Sequence, residues 1–175
     1  MLPERSFRRM DRARLPRREL KRHGEALAYD LVELLRARAS YVESGKIPEL
    51  SRACQGLVNR LSAAMGVPPK RVLLRDRPRP HKRRGGRVVY ELHGLCDPAG
   101  PLEVYTRTAV RAQPVALRTL LDTLYHEWVH HWDFSRFGTS VHSKGFYERI
   151  GQLYKPSREW ISKLESGAVR LEESP

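Results

Sequence analysis

The pentapeptide His126-Glu127-Trp128-Val129-His130, with His142 twelve residues after His130, constrains this chain more than any other feature. Histidines four apart on a helix project from one face, one turn above the other, so both rings can reach a single point. The surrounding residues carry the helical period. From Val115 to Trp132, the residues Leu117, Leu120, Leu121, Leu124, Tyr125 and Trp128 recur at helical spacing. With Leu117 as origin, that apolar stripe centres at roughly 20°, whereas His126 falls at roughly 180° and His130 at roughly 220°. The helix is therefore predicted to bury its leucines and turn both histidines toward an open cleft, with Glu127 at the flank. His131, at roughly 320° on the same count, is expected to pack or hydrogen-bond instead.

Paired histidines with an intervening glutamate are a donor set for Zn2+, with the carboxylate placed to take a proton from an activated water. His126 and His130 are the expected metal ligands and Glu127 the expected catalytic base. A catalytic zinc takes three protein ligands and keeps one position open. The helix is expected to end near Phe137-Gly138, since glycine suits the residue just past a helix terminus. Thr139, Ser140 and Val141 then turn the chain and bring back His142, the expected third ligand. A new amphipathic helix follows, marked by Phe146, Ile150 and Leu153. Glu148, nearly two turns into that helix, is the rival for the third position. Asp133 is either a carboxylate that steadies a ligand histidine or a solvated residue near the helix end. The chemistry implied is metal-assisted hydrolysis of an amide. Tyr147, Tyr105 and Lys144 are the candidates for stabilising the oxyanion, and the strand Leu102–Thr106 is the candidate edge for aligning a peptide.

The order of parts resembles the SprT-like (Spartan-type) zinc metallopeptidases, which include proteases that degrade DNA–protein crosslinks. The resemblance rests on Leu102-Glu103-Val104-Tyr105-Thr106 before the helix, Tyr125-His126-Glu127-Trp128-Val129-His130-His131 on it, and His142-Ser143-Lys144-Gly145-Phe146-Tyr147 after it. It covers about residues 70 to 155. Ser143 stands where the family usually has glycine, and two cysteines in the whole chain cannot build the cysteine-rich zinc ribbon of many members. The resemblance implies a zincin-like fold, a zinc cofactor, a protein substrate and DNA rather than RNA as the nucleic-acid partner.

Charge is the second strong signal. The chain carries a formal +13 at neutral pH. Residues 1–24 hold nine Lys or Arg against three acids, and residues 75–87 hold seven against one, so each block contributes +6. Concentrated positive charge is the footprint of a polyanion. The Arg/Lys clusters at 5–22 and 75–87 are the expected contacts for nucleic acid, without sequence specificity. The block Arg75–Arg87 has prolines and glycines but no aromatic residue, and reads as a flexible phosphate-gripping loop rather than a base-stacking platform.

With 175 residues and 40% hydrophobic content the chain can bury a substantial core. No apolar run is long enough to span a bilayer, the N-terminus has no secretory h-region, and Cys54 and Cys96 fit no paired motif. A cytoplasmic location, with nucleoid association open, is expected.

The predicted fold class is α+β: a small three-stranded sheet packed on the long H-E-x-x-H helix, with additional N-terminal helices. Residues 1–22 are expected to be a basic, flexible segment and residues 23–175 a single domain. Within it, helices are expected near Gly24–Ala39 and from Pro48 to Gly66, strands at Val72–Leu74, Val88–Leu92 and Leu102–Thr106, and a last short helix over Ser157–Glu165 capped by Ser157. The leading function is a zinc-dependent metalloendopeptidase acting on nucleic-acid-bound proteins. The alternative is a basic nucleic-acid-binding protein with a structural or catalytically silent zinc site, and the intact Glu127 favours the enzyme.

Overall fold

Leucines at three- and four-residue spacing build the first half of the molecule. The computed structural model describes residues 4–166; the extreme ends of the expected segments 1–22 and 23–175 lie outside the described residues. Helix α1 spans Glu4–Arg12, α2 spans Arg17–Ser44 and α3 spans Ile47–Met65. Only Gly45 and Lys46 join α2 to α3, and the two helices interlock through Leu27, Leu31, Leu34 and Tyr41 against Leu50, Cys54, Leu57 and Leu61.

A small mixed sheet follows. Strand β1 (Val72–Pro78) runs parallel to β5 (Leu102–Arg107), and β4 (Gly94–Cys96) runs antiparallel along the other side of β5, giving the order β1-β5-β4. Period-two alternation sorts the sheet's faces. Val72, Leu102 and Val104 enter the core, while Arg75 pairs with Glu103 at 2.7 Å on the outer face. Helix α4 (Leu117–Phe137) lies under the sheet and ends at Gly138, in the left-handed region at φ 69°. Trp128, inside the histidine motif but fully buried, ties α4 to α3 by donating from Nε1 to Ser62 Oγ at 3.0 Å. Helix α5 (Lys144–Glu165) completes the fold, which is α+β with five helices among the described residues. No described helix is long and apolar enough to cross a membrane.

Four expectations are corrected. The basic N-terminus is not loose: α1 is docked, with Met10 and Leu15 buried. Arg149 of α5, itself fully buried, donates from Nη1 to the carbonyls of Met10 (3.0 Å) and Ala13 (2.9 Å). A buried guanidinium needs such acceptors. The expected boundary at residue 22 also falls inside α2.

The basic block is not a flexible loop. Arg75–Pro78 belong to β1, and a hairpin of β2 (His81–Arg84) and β3 (Arg87–Glu91) follows. Its two-residue turn is Gly85-Gly86, both at positive φ (57° and 78°), as the turn type that matches strand twist requires.

The last helix is not separate. Pro156 sits inside α5, and Ser157, expected as a cap, is buried and bonds Tyr125 Oη at 2.8 Å. Packing of Leu153, Tyr154 and Ile161 against the core outweighs the several kcal/mol, about 3, that an internal proline costs a helix.

Finally, β5 is the central strand, so Leu102–Thr106 offers no free edge. The outer position beside it belongs to β4, which was not anticipated.

Candidate metal centre

Three imidazoles meet where α4, its C-terminal turn and α5 come together. His126 and His130 project from one face of α4, and the chain reversal after Gly138 brings His142 back against them. His142 Nε2 lies 3.0 Å from His126 Nε2 and 3.0 Å from His130 Nε2. Ser143, immediately after His142, caps α5 by accepting from the Phe146 backbone N–H at 3.3 Å, which holds the third histidine to the helix start. Beneath the cluster, fully buried Phe146 has its ring centroid 5.0, 4.5 and 4.9 Å from those of His126, His130 and His142. One apolar ring thus sets the depth of all three.

A polar chain behind His130 settles its tautomer. Its Nδ1 lies 2.7 Å from Ser140 Oγ, while that hydroxyl donates to Asp133 Oδ2 at 3.1 Å. With its single proton committed to Asp133, the hydroxyl can only accept from His130 Nδ1–H, leaving Nε2 bare and turned to the cluster. Asp133 is fully buried and receives Arg149 Nη2 at 2.8 Å. Asp133 is therefore not a solvated helix-end residue: it is buried and reaches His130 through Ser140. Burial holds His126 down to about 4, helped by the neighbouring His142 and His93. It holds His130 down to about 3, helped by His126 and His142. Both rings are therefore neutral donors at neutral pH.

Glu127 sits beside the cluster at 6% exposure. Burial pushes its carboxyl up to about 7, against a backbone hydrogen bond from Cys96 of β4 that pulls it down. The contact of β4 with α4 is close: a Cβ at Gly94 would lie 2.7 Å from Glu103 O and 2.8 Å from both Glu127 Cγ and Thr123 Cγ2. Only glycine lets the strand pass at this distance.

These groups line a cleft of about 950 Å³, with the segment Tyr90–Cys96 on one wall and His142, Tyr147 and Ile150 on the other. Tyr147 is 56% exposed and stacks on His142 at 6.0 Å. Tyr105 lies away from the cleft beneath Arg77, and Lys144 is solvated near Glu148. Glu148 pairs with Arg14 and stays out of the imidazole cluster. His131 is buried, with Nε2 at 2.8 Å from the Pro68 carbonyl.

Sequence reading missed His93, which lines the cleft between β3 and β4 near Arg79 and Glu91. A histidine in a sheet connection carries no period, and only the Gly94 beside it marked a close approach. No protein-family model, curated protein or solved structure matches the chain.

Proposed function

We propose that this protein is a zinc-dependent metalloendopeptidase, with His126, His130 and His142 as ligands and Glu127 as catalytic base. One observation carries the reading: the Nε2 atoms of His126 and His130 each lie 3.0 Å from that of His142, beside a buried glutamate in an open cleft. Lone pairs at that distance repel unless a proton or a cation lies between them. Tetrahedral zinc with bonds of 2.0–2.1 Å needs nitrogens about 3.3 Å apart, so the cluster fits the ion with small adjustment. Ser140 and Asp133 supply the hydrogen bonding that keeps the His130 donor in its ligating tautomer.

Bound zinc supplies a Lewis acid and makes water acidic enough to deprotonate near neutral pH. Glu127, buried beside the three histidines, would take that proton on its carboxylate and return it to the leaving amine. Leu95 on β4, an edge strand, is half exposed, which supports alignment of an extended substrate along β4. Tyr147 is the phenol best placed to meet a developing oxyanion. The arrangement supports the SprT-like resemblance and a zincin-like fold.

The cationic hairpin beside the cleft supports a nucleic-acid partner, non-specific in sequence, and hence substrates that are themselves nucleic-acid-bound proteins. Two buried unpaired thiols, Cys54 and Cys96, suit a cytoplasmic setting.

The test compares wild-type and Glu127→Gln protein of equal measured zinc content for cleavage of a DNA-binding protein, with and without single-stranded DNA. Cleavage by the wild type alone supports the enzyme. Full zinc in both and cleavage by neither supports a binding protein with a silent site.

A further inference from the structure

We infer that the β2–β3 hairpin is a single-strand nucleic-acid grip, in which Lys82, Arg84 and Arg87 hold the phosphates and Tyr90 stacks a base at the mouth of the metal cleft. This rests on the nucleic-acid partner proposed above and names its contact surface.

The register carries the argument. Arg84 is paired with Arg87 and Lys82 with Tyr90, and the pairing shifts between Lys82 and Arg83. Residues directly opposite one another share a face of a ribbon. Lys82 and Arg84, two apart on β2, therefore share one face with their partners Tyr90 and Arg87. An irregularity of this kind adds a residue on one strand and re-aims a side chain. Here it brings Tyr90 onto the cationic face, where regular alternation would have turned it away. Tyr90 is half exposed and lines the metal cleft.

The arm has no structural use for these charges. Two arginines directly opposite each other destabilise a ribbon, and an isolated hairpin is marginal in water. The hairpin contacts no other described helix or strand, and its β2 residues are all exposed. Among the described residues, none of Lys82, Arg83, Arg84 and Arg87 has an acidic partner, whereas Arg75 and Arg79 at its base are tied to Glu103 and Glu91. A polyanion supplies the missing counter-charge. The tip is Arg84-Gly85-Gly86-Arg87, without an apolar residue to enter a lipid surface. The aromatic ring lies instead at the cleft end, where an unpaired base offers a flat face and a duplex does not.

Binding of a dye-labelled oligothymidylate and of a labelled duplex to the full chain, read by fluorescence anisotropy over a salt series, tests this. Tyr90→Leu is expected to weaken single-strand binding roughly 5- to 100-fold, with Tyr90→Phe restoring it and duplex binding little changed. The combined Lys82→Ser, Arg84→Ser and Arg87→Ser variant is expected to weaken both and to reduce the single-strand salt slope by about 2. Matching far-ultraviolet spectra and melting midpoints exclude loss of fold. Wild-type binding that Tyr90→Leu or the triple variant leaves unchanged overturns the grip but not the nucleic-acid partner. Capture of phosphatidylglycerol vesicles without oligonucleotide binding overturns both. A chain that grips DNA through Tyr90 yet cleaves nothing sinks the peptidase reading and leaves this one standing.

Discussion

Arg149 and Asp133 form an ion pair of 2.8 Å in which both side chains are fully inaccessible to solvent. The pair stands between the docked N-terminal segment, through Met10 and Ala13, and the imidazole cluster, through Ser140 and His130. Burial pushes the Asp133 carboxyl up, and Arg149 with Ser140 pulls it back. Arg149→Met strands a carboxylate in the interior and removes a donor to the Met10 and Ala13 carbonyls. Loss of about 3–5 kcal/mol is expected. Urea unfolding measures it, and faster proteolysis within residues 4–15 should accompany it. A loss below about 1 kcal/mol would mean that Asp133 simply takes up a proton.

Ser140 is expected to act on the proposed zinc site rather than on the fold. Its hydroxyl accepts from His130 Nδ1 at 2.7 Å while donating to Asp133. Ser140→Ala removes the group that fixes the tautomer, so zinc affinity is expected to fall roughly 10- to 100-fold with a small change in melting midpoint. Competition with a chromogenic chelator reads the affinity directly. Equal zinc affinity in the variant would show that Phe146 packing alone orients the ring.

The face of α4 that carries His126 and His130 was legible because one helical period governs both the buried leucines and the two histidines. His142 was legible because Gly138 ends the helix and leaves only a short turn. What escaped was long-range or masked. Arg149 finds its acceptors on α1 and α4, and nothing local in the sequence distinguishes it from a solvated arginine. The N-terminus buries only sparse apolar residues, Met10 and Leu15, among its cations, so composition read as disorder. The hairpin did leave a signal, since Gly85-Gly86 is a favoured two-residue turn. Val88–Leu92 was read as a strand, but the cation run and flanking prolines obscured its partner His81–Arg84. The last helix was expected to start at Ser157, and only the burial of Ser157 against Tyr125 explains why α5 runs through Pro156.

His23 makes stability depend on pH. It is buried, neither ring nitrogen has a hydrogen-bond partner among the described residues, and Tyr125 meets it edge-on at 6.5 Å. Burial, and then the charge of Arg60, hold its pKa down to about 4. The folded value lies below the unfolded one, so His23 is neutral in both states above about pH 6.5 and stability is full there. As pH falls, the unfolded chain takes the proton first, and stability drains away until the folded value near 4 is passed. Between about pH 7 and pH 5 this one group should remove about 2 kcal/mol. Urea unfolding of wild type and His23→Phe at both pH values should show that difference. Parallel losses in the two proteins would assign the acid sensitivity elsewhere.

Gly94 sets the distance between β4 and Glu127, the proposed catalytic base. In Gly94→Ala the new methyl would lie 2.7 Å from a β5 carbonyl and 2.8 Å from Glu127 Cγ, and the carbonyl belongs to the central strand and cannot swing aside. Either β4 lifts from the sheet or the Glu127 side chain is displaced. A loss of about 1–3 kcal/mol in stability is expected from the overpacking. Both responses also move the carboxylate away from the Cys96 N–H and from its position beside the histidines. Misplacement by about 1 Å lowers rates roughly 100-fold, so cleavage should fall by about that factor. Zinc stoichiometry should be unchanged, because the methyl's three nearest neighbours belong to Glu103, Glu127 and Thr123 rather than to a histidine. Parallel measurement of bound zinc and of cleavage separates these effects. Loss of zinc together with activity would mean that β4 holds the ligand helix as well as its glutamate.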